Sequence, residues 1–79
     1  MNEHLEKLTL IFRDVLENNT IVLNEDTIAQ DIDEWDSLNH IYLVVEIERQ
    51  LNVKFTTQEI SEWKNIGDIL KAIKKHSNS

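Results

Sequence analysis

The sequence predicts an all-α fold, a four-helix bundle in which three longer helices and a short third helix accompany a long first loop. Two observations carry this prediction. Apolar residues recur at helical spacing along almost the whole chain, and a composition with no proline and one glycine leaves few turn or strand signals. At 79 residues the chain is long enough for one small domain, so residues 1–79 are expected to form a single domain.

The first helix is predicted from about Asn2 to Glu17, and a connection over about 18–35 follows it. One face of this helix is lined by Leu5, Leu8, Phe12, Val15 and Leu16. Because unstructured loops of this length are uncommon in compact domains, we expect the connection to pack back onto the helices, with room for a short helical turn. The residues expected to pack in this way are Ile21, Val22, Leu23, Ile28, Ile32 and Trp35.

The second helix is predicted from Ser37 to Leu51, with Asp36 as its N-cap. At about 100° per residue, its apolar side chains fall into two stripes. The first stripe contains Leu43, Val44, Ile47 and Leu51, and the second contains Leu38, Ile41 and Val45. One stripe must face the core, and the other is a candidate docking surface flanked by Glu46 and Glu48. Burial of both stripes is the alternative, since a helix that is apolar all round is often a core helix.

The third helix is predicted over about 57–62, because Thr56 and Glu59 form a capping-box pattern. Asn65 then caps a fourth helix, and the tail over residues 76–79 is expected to fray. The residues of the fourth helix that are expected to face inward are Ile66, Ile69, Leu70 and Ile73.

Negative charge is concentrated in the middle of the chain. The formal net charge is −7, and residues 24–62 hold ten acidic residues against two basic ones. A strong negative charge argues against nucleic-acid binding, which depends on lysine and arginine neutralising phosphates. It favours protein partners with basic surfaces, because such a field steers their approach.

The chain contains no cysteine, which excludes a disulfide, a thiolate nucleophile and a sulfur-ligated metal within the polypeptide. This composition fits a reducing, cytoplasmic compartment. The N-terminal residues lack the basic-then-apolar order of a signal peptide, and no apolar run is long enough to span a bilayer. We therefore expect a soluble cytoplasmic protein that is not inserted in a membrane and acts as a monomer.

Ser37 is the most distinctive polar residue, because it opens the most apolar helix that the chain can form. A hydroxyl in the first turn of a helix lies beside unpaired N–H groups and the positive end of the macrodipole, which favour an attached phosphate. Catalysis by Ser37 would need a base, a group that orients the base, and oxyanion donors. His40 lies one turn later and is the candidate base, but no nucleophile elbow or third partner is evident. The pattern favours a modified serine in a protein that is not an enzyme.

Two further patterns suggest ligand sites but have simpler interpretations. The acidic segment 31–36 has some features of a calcium loop. Its sixth and twelfth positions, however, hold Asp36 and Tyr42, where glycine and a bidentate carboxylate are required. No metal is therefore predicted. Trp35 and Trp63 are large enough to stack on a ligand, but in a chain of this size they are interpreted as core or loop anchors.

A run of three residues, Asp36, Ser37 and Leu38, precedes a helix with acidic residues on its exposed side. Together with the short third helix and the apolar fourth helix, this run resembles the acyl carrier proteins, from the first helix through Ile73. The resemblance implies that a phosphopantetheinyl transferase esterifies Ser37 with 4'-phosphopantetheine from coenzyme A, with Asp36 and Leu38 completing the attachment motif. The thiol of the arm then carries acyl groups as thioesters. The chain is expected to be a carrier domain of fatty acid, polyketide or more specialised biosynthesis.

In acyl carrier proteins, partner enzymes bind the second helix through basic patches. The resemblance therefore implies that acyl- or aminoacyl-loading ligases and acyl-processing enzymes are partners of this chain. The residues that are expected to dock them are Leu38, Ile41, Val45, Glu46 and Glu48.

The second helix departs from the usual pattern of the family at several positions. Asn39, Tyr42 and Arg49 stand where acidic residues are expected, and Val45 replaces a commoner methionine. These differences indicate a specialised set of partners, such as a dedicated acyl or aminoacyl ligase. One alternative function is left open: an unmodified acidic helical adaptor that binds a basic protein partner.

Overall fold

The computed structural model describes residues 3–77, and the architecture within that range is all-helical. Its α-helices are α1 (Glu3–Val15), α2 (Ser37–Leu51), α3 (Thr57–Ser61) and α4 (Ile66–Ser77), and the first loop holds a 3₁₀ turn at Ala29–Asp31. α1 packs against both α2 and α4. The predicted all-α four-helix bundle, with its short third helix and long first loop, is confirmed.

α1 ends earlier than predicted. Its last turn is closed by the Asn18 N–H, which donates to the Arg13 carbonyl at 3.0 Å, and by the Glu17 N–H, which donates to the Asp14 carbonyl at 3.3 Å. Glu17 adopts the left-handed conformation with a φ of 55°, which is the conformation that ends a helix in this closure. The prediction that α1 extends to Glu17 is therefore wrong, and Asn2 lies outside the described residues.

The core lies between α1, α2 and α4. Its largest fully buried side chains are Leu8, Ile11, Phe12, Leu43, Ile47, Ile66, Ile69 and Ile73. The first predicted stripe of α2 faces this core, with Val44 buried and Leu51 packed at the edge. Burial of an apolar side chain of this size stabilises a fold by about 1.5–3 kcal/mol. The inner stripe therefore fixes which side of α2 faces inward.

The first loop packs back onto the helices through most of its apolar residues. Its buried or partly buried members are Ile21, Leu23, Ile28, Ile32 and Trp35. Val22 is 76% exposed, so its predicted burial is wrong. Residues 21–23 are not helical, and in extended chain successive side chains point to opposite sides. Ile21 and Leu23, on either side of Val22, are the residues whose side chains are buried.

The start of α4 is hydrogen-bonded to the first loop. The Ile66 N–H donates to the Thr27 carbonyl and the Gly67 N–H donates to the Glu25 carbonyl, each at 2.9 Å. The buried Thr27 hydroxyl accepts from the Asn24 N–H at 3.0 Å. A Cβ on Gly67 would lie 3.1 Å from the Glu25 carbonyl oxygen, so glycine permits this close approach. These bonds satisfy donors at the helix end and hold the loop against the bundle.

α3 and α4 begin at the predicted caps. Thr56 Oγ1 accepts from the Glu59 N–H at 3.1 Å, and Glu59 Oε1 accepts from the Thr56 N–H at 2.9 Å, which completes the capping box. Asn65 Oδ1 accepts from the Asp68 N–H at 2.9 Å. α3 ends at Ser61, slightly before its predicted end.

α4 continues further than predicted. It runs through Ser77. His76 Nε2 lies 3.0 Å from Glu59 Oε2, and the His76 ring meets the Phe55 ring edge-on at 5.5 Å. The prediction of a frayed tail is therefore wrong for His76 and Ser77, while residues 78 and 79 lie outside the described residues. The groups that hold His76 come from α3 and the residues before it, which the local C-terminal sequence does not reveal.

Glu59 makes the stability of the fold depend on pH. The Thr56 backbone N–H and then His76 hydrogen-bond its carboxylate, which lowers the pKa of Glu59 from 4.5 to about 2. Since the unfolded state holds this proton more tightly, we predict that the free energy of unfolding falls as the pH drops from 4.5 towards 2. In Glu59→Gln this fall should be shallower, as measured by urea unfolding at several pH values.

Glu62→Gln is the matched control, because it removes an exposed carboxylate just after α3. A shallower fall in Glu59→Gln than in Glu62→Gln would assign the effect to the contacts of Glu59 with Thr56 and His76. Equal curves for the parent and Glu59→Gln would contradict the role given to Glu59.

Candidate functional site

Ser37 is the first residue of α2 and is exposed. Asp36 precedes it as the N-cap, with extended backbone, and Asp36 Oδ1 accepts from the Asn39 N–H at 2.8 Å. α2 has no acidic residue in its first turn, so the positive end of its dipole is opposed only by the cap. The predicted N-cap and the predicted start and end of α2 are confirmed.

The segment before Ser37 is held by hydrogen bonds to α2 and to the residues that follow α1. The Asn39 side-chain amide donates to the Glu34 carbonyl at 2.8 Å, and the Asn18 side-chain amide donates to Glu34 Oε2 at 3.1 Å. The Asp36 N–H donates to the same Glu34 carbonyl at 3.1 Å. Asn39 thus closes the turn that presents Ser37. Sequence reasoning did not find this role.

Trp35 and His40 form a hydrogen-bonded pair beneath Ser37. The Trp35 Nε1–H donates to His40 Nδ1 at 3.0 Å. Partial burial of the ring lowers the pKa of His40, which favours the neutral form of the ring. Because Nδ1 accepts this bond, the ring proton is assigned to Nε2. The acceptor nitrogen is therefore already used, which argues against His40 as a base for Ser37.

A run of rings crosses the molecule beside the site. The ring centroids of Phe12 and Trp35 are 4.9 Å apart, and those of Trp35 and His40 are 6.0 Å apart. The run continues from His40 to Trp63 at 6.1 Å and from Trp63 to Phe55 at 4.9 Å. Pairs at these separations contribute about 0.5–1.5 kcal/mol beyond their buried area. Trp35 and Trp63 thus act as anchors, as the sequence interpretation holds, although neither ring is fully buried.

An open cleft of about 450 Å³ adjoins Ser37. Trp35, Trp63 and His40 are among its lining residues, and the His40 ring lies about 6 Å from each indole. The remaining lining residues are Ala29, Asp36, Ser37, Lys64 and Asn65. Sequence reasoning did not predict this cleft, because its lining comes from the first loop, α2 and the connection between α3 and α4.

The second apolar stripe of α2 lies on the surface. Leu38 is 61% exposed, Ile41 59% and Val45 53%, and the neighbouring Tyr42 is 54% exposed. The alternative in which both stripes are buried is therefore wrong. A contiguous set of exposed apolar side chains on one helix face is typical of an interaction surface.

The two acids beside this stripe have partners within the chain. Glu46 accepts hydrogen bonds from Gln50 at 2.7 Å and from Arg49 at 2.9 and 3.0 Å. These bonds lower the pKa of Glu46, and the bond from Gln50 has the largest effect. Glu48 Oε2 accepts from the Phe55 N–H at 2.9 Å, which links α2 to the residues before α3. Glu48 therefore has a structural role that its sequence position did not indicate.

No group of three or more histidine, cysteine, aspartate or glutamate side chains within residues 3–77 is placed to hold a metal ion. In the same part of the chain, no helix has both the length and the apolar character that a bilayer crossing requires.

Comparison with known proteins agrees with this geometry. The family model described as "Phosphopantetheine attachment site" matches residues 6–73, which include Ser37 and both stripes of α2. The solution structure of a holo acyl carrier protein from Geobacter metallireducens is similar, with a TM-score of 0.86 and 43% sequence identity. The match covers 91% of this chain and 83% of that one. No curated protein sequence matches the chain.

These matches decide between the two functions that the sequence left open. A phosphopantetheine-bearing carrier is supported, and an unmodified adaptor is not. The predictions of a carrier that is not an enzyme, and of covalently attached phosphopantetheine as its prosthetic group, are confirmed. The chain belongs to the acyl carrier protein family.

Proposed function

We propose that Ser37 is the residue that a phosphopantetheinyl transferase esterifies with 4'-phosphopantetheine. The observation that carries this proposal is the exposed hydroxyl at the first position of α2, directly after the Asp36 cap. When bound, the arm supplies a terminal thiol on which acyl groups travel as thioesters. The polypeptide supplies the anchor, the electrostatic environment and the docking surface.

The other serines fit this role less well. Ser61 is the only other serine within the matched residues 6–73. Its hydroxyl donates to the Gln58 carbonyl at 2.8 Å, and it is the last residue of α3. Free carbonyl groups give a helix C-terminus negative character, which disfavours a phosphate group. Ser37 lies at a helix N-terminus, which favours a phosphate group.

The N-terminus of α2 suits the negative charge of the phosphodiester that links phosphopantetheine to serine. A phosphodiester carries about one negative charge, less than a phosphoserine monoester. N–H groups at a helix start and the positive end of the dipole favour that charge. Because α2 has no acid in its first turn, no carboxylate within that turn would repel the phosphate.

We further propose that partner enzymes dock on the exposed stripe of Leu38, Ile41 and Val45, with Glu46 and Glu48 facing their basic patches. These partners include the phosphopantetheinyl transferase, an acyl- or aminoacyl-loading ligase and acyl-processing enzymes. Arg49 is paired with Glu46 at 2.9 Å, which reduces the negative charge of this face. Apolar contact therefore has a larger share in recognition, which supports a specialised set of partners. We propose the cytoplasm as the compartment in which they act, because a chain without cysteine suits a reducing environment.

We predict that incubation with coenzyme A and a broad-specificity phosphopantetheinyl transferase adds the mass of one phosphopantetheinyl group, as measured by intact-protein mass spectrometry. Ser37→Ala should abolish the gain, because the acceptor oxygen is gone. Ser61→Ala is the matched control and should be modified like the parent. A gain that survives in Ser37→Ala would place the arm elsewhere.

Truncation of the exposed stripe should weaken docking without unfolding the protein. In Leu38→Ala the KM of the transferase for the apo-protein should rise about fivefold, which corresponds to about 1 kcal/mol. Leu10→Ala, which truncates a leucine of α1 that is 62% exposed, should leave KM unchanged. Equal KM values for both variants would show that the stripe does not contribute to docking.

Glu48 needs a test that separates its structural role from docking. Glu48→Ala should lower the free energy of unfolding by about 1–2 kcal/mol, because the Phe55 N–H loses its acceptor. Glu48→Gln retains an oxygen acceptor and should stay within about 0.5 kcal/mol of the parent. Urea unfolding measures both values, and equal losses in the two variants would contradict the structural role. Glu48→Gln is then the variant suited to docking assays.

A further inference from the structure

We propose that the phosphopantetheine arm folds back from Ser37 and lies in the cleft between Trp35, His40 and Trp63, where it contacts the indole of Trp63. This inference rests on the proposed attachment to Ser37 and goes beyond it. It assigns to aromatic side chains, which would otherwise be anchors only, a role in holding the prosthetic group between encounters with partner enzymes.

The walls of the cleft are held before any ligand arrives. Trp35 is fixed at one end by its edge-on contact with Phe12 and at the other by its 3.0 Å hydrogen bond to His40. Trp63 is fixed by its edge-on contact with Phe55, at 4.9 Å. A preformed wall loses little side-chain entropy when a ligand is seated on it. Each of these indoles is only partly buried, so ring surface is left exposed.

The identity of the occupant follows from where the cleft lies. Ser37 is itself one of its lining residues, so the first atoms that can enter it are those attached to the Ser37 oxygen. Any cargo is held at the far end of the arm. Phe12, which packs edge-on against the cleft residue Trp35, is fully buried. A long acyl chain would have to displace packed side chains, whereas an arm lying along the surface would not.

The lining also matches the chemistry of the arm. Next to its phosphodiester, 4'-phosphopantetheine has a carbon with two methyl groups, and amide groups follow. Methyl groups pack on aromatic faces, and amides are satisfied by polar neighbours. The cleft offers the indole of Trp63 for the methyl groups, and Lys64 and Asn65 for the phosphate and the amides.

The location separates this site from the docking face. The cleft lies on the side of α2 that bears His40, whereas the stripe of Leu38, Ile41 and Val45 is exposed on another side and is not part of the lining. A partner can therefore bind the stripe while the arm is still seated, and the arm then leaves the cleft to enter the enzyme.

The test compares apo- and holo-protein by NMR, after mass spectrometry shows complete conversion with coenzyme A and no cargo. We expect cross-peaks between the methyl protons of the arm and the ring protons of Trp63 and His40, together with a shift of the Trp63 indole N–H signal. Tyr42 is the internal control, because its ring is 54% exposed on the outer side of α2. An arm that moves freely in solvent would give no persistent cross-peaks to Trp63 or His40.

A pair of variants makes the test independent of signal assignment. In holo Trp63→Leu, the chemical shifts of the methyl groups of the arm should return to their values in free coenzyme A, because the ring that alters these shifts is gone. Holo Tyr42→Leu should keep the parent positions, and circular dichroism checks that both variants fold. If Trp63→Leu does not fold, the cross-peaks of the parent decide.

Each outcome has one meaning. Complete conversion without contacts to Trp63 or His40 overturns this inference and leaves the attachment at Ser37 intact. Contacts that form only after an acyl group is loaded also overturn it, because the cleft would then hold cargo. Absence of the mass gain overturns both proposals.

Discussion

The rotation of α2 about its own axis is the constraint on which the site depends. Leu43, Val44 and Ile47 are buried in the core, where α2 packs against α1, and no other rotation of the helix would bury all of them. Since side chains follow one another at about 100° per residue, this packing directs Leu38, Ile41 and Val45 outward. The core therefore determines the docking face.

The start of α2 is fixed by a second set of contacts. Asp36 caps the helix, Asn39 closes the turn onto the Glu34 carbonyl, and Trp35 is tied to His40. Ser37 therefore stands on a rigid support at the end of the long first loop, which is itself hydrogen-bonded to the start of α4. A carrier requires a support of this kind, because the anchor must be presented reproducibly while the arm itself moves between enzymes.

The features that sequence predicted are those set by local rules. The capping box of Thr56 and Glu59, the N-cap Asp36 and the two stripes of α2 each depend on residues within a few positions of one another. Their spacing alone was enough to place the helices and Ser37.

The features that sequence missed depend on groups far apart in the chain. The local sequence predicts a frayed end that includes His76, yet Glu59 of α3 holds this residue. The pattern of α2 indicates only a docking role for Glu48, although its carboxylate accepts the Phe55 N–H. The sequence does not predict the cleft, since Trp35 and Trp63 line one site only in the folded chain. Local pattern carries no information on such pairs.

Fragmentation mass spectrometry of the digested holo-protein tests the central claim most directly, because it locates the arm on a single residue. The account predicts that every modified peptide contains Ser37 and that the fragment ions assign the phosphodiester to its oxygen. Assignment of the arm to any other residue, Ser61 included, would contradict the account.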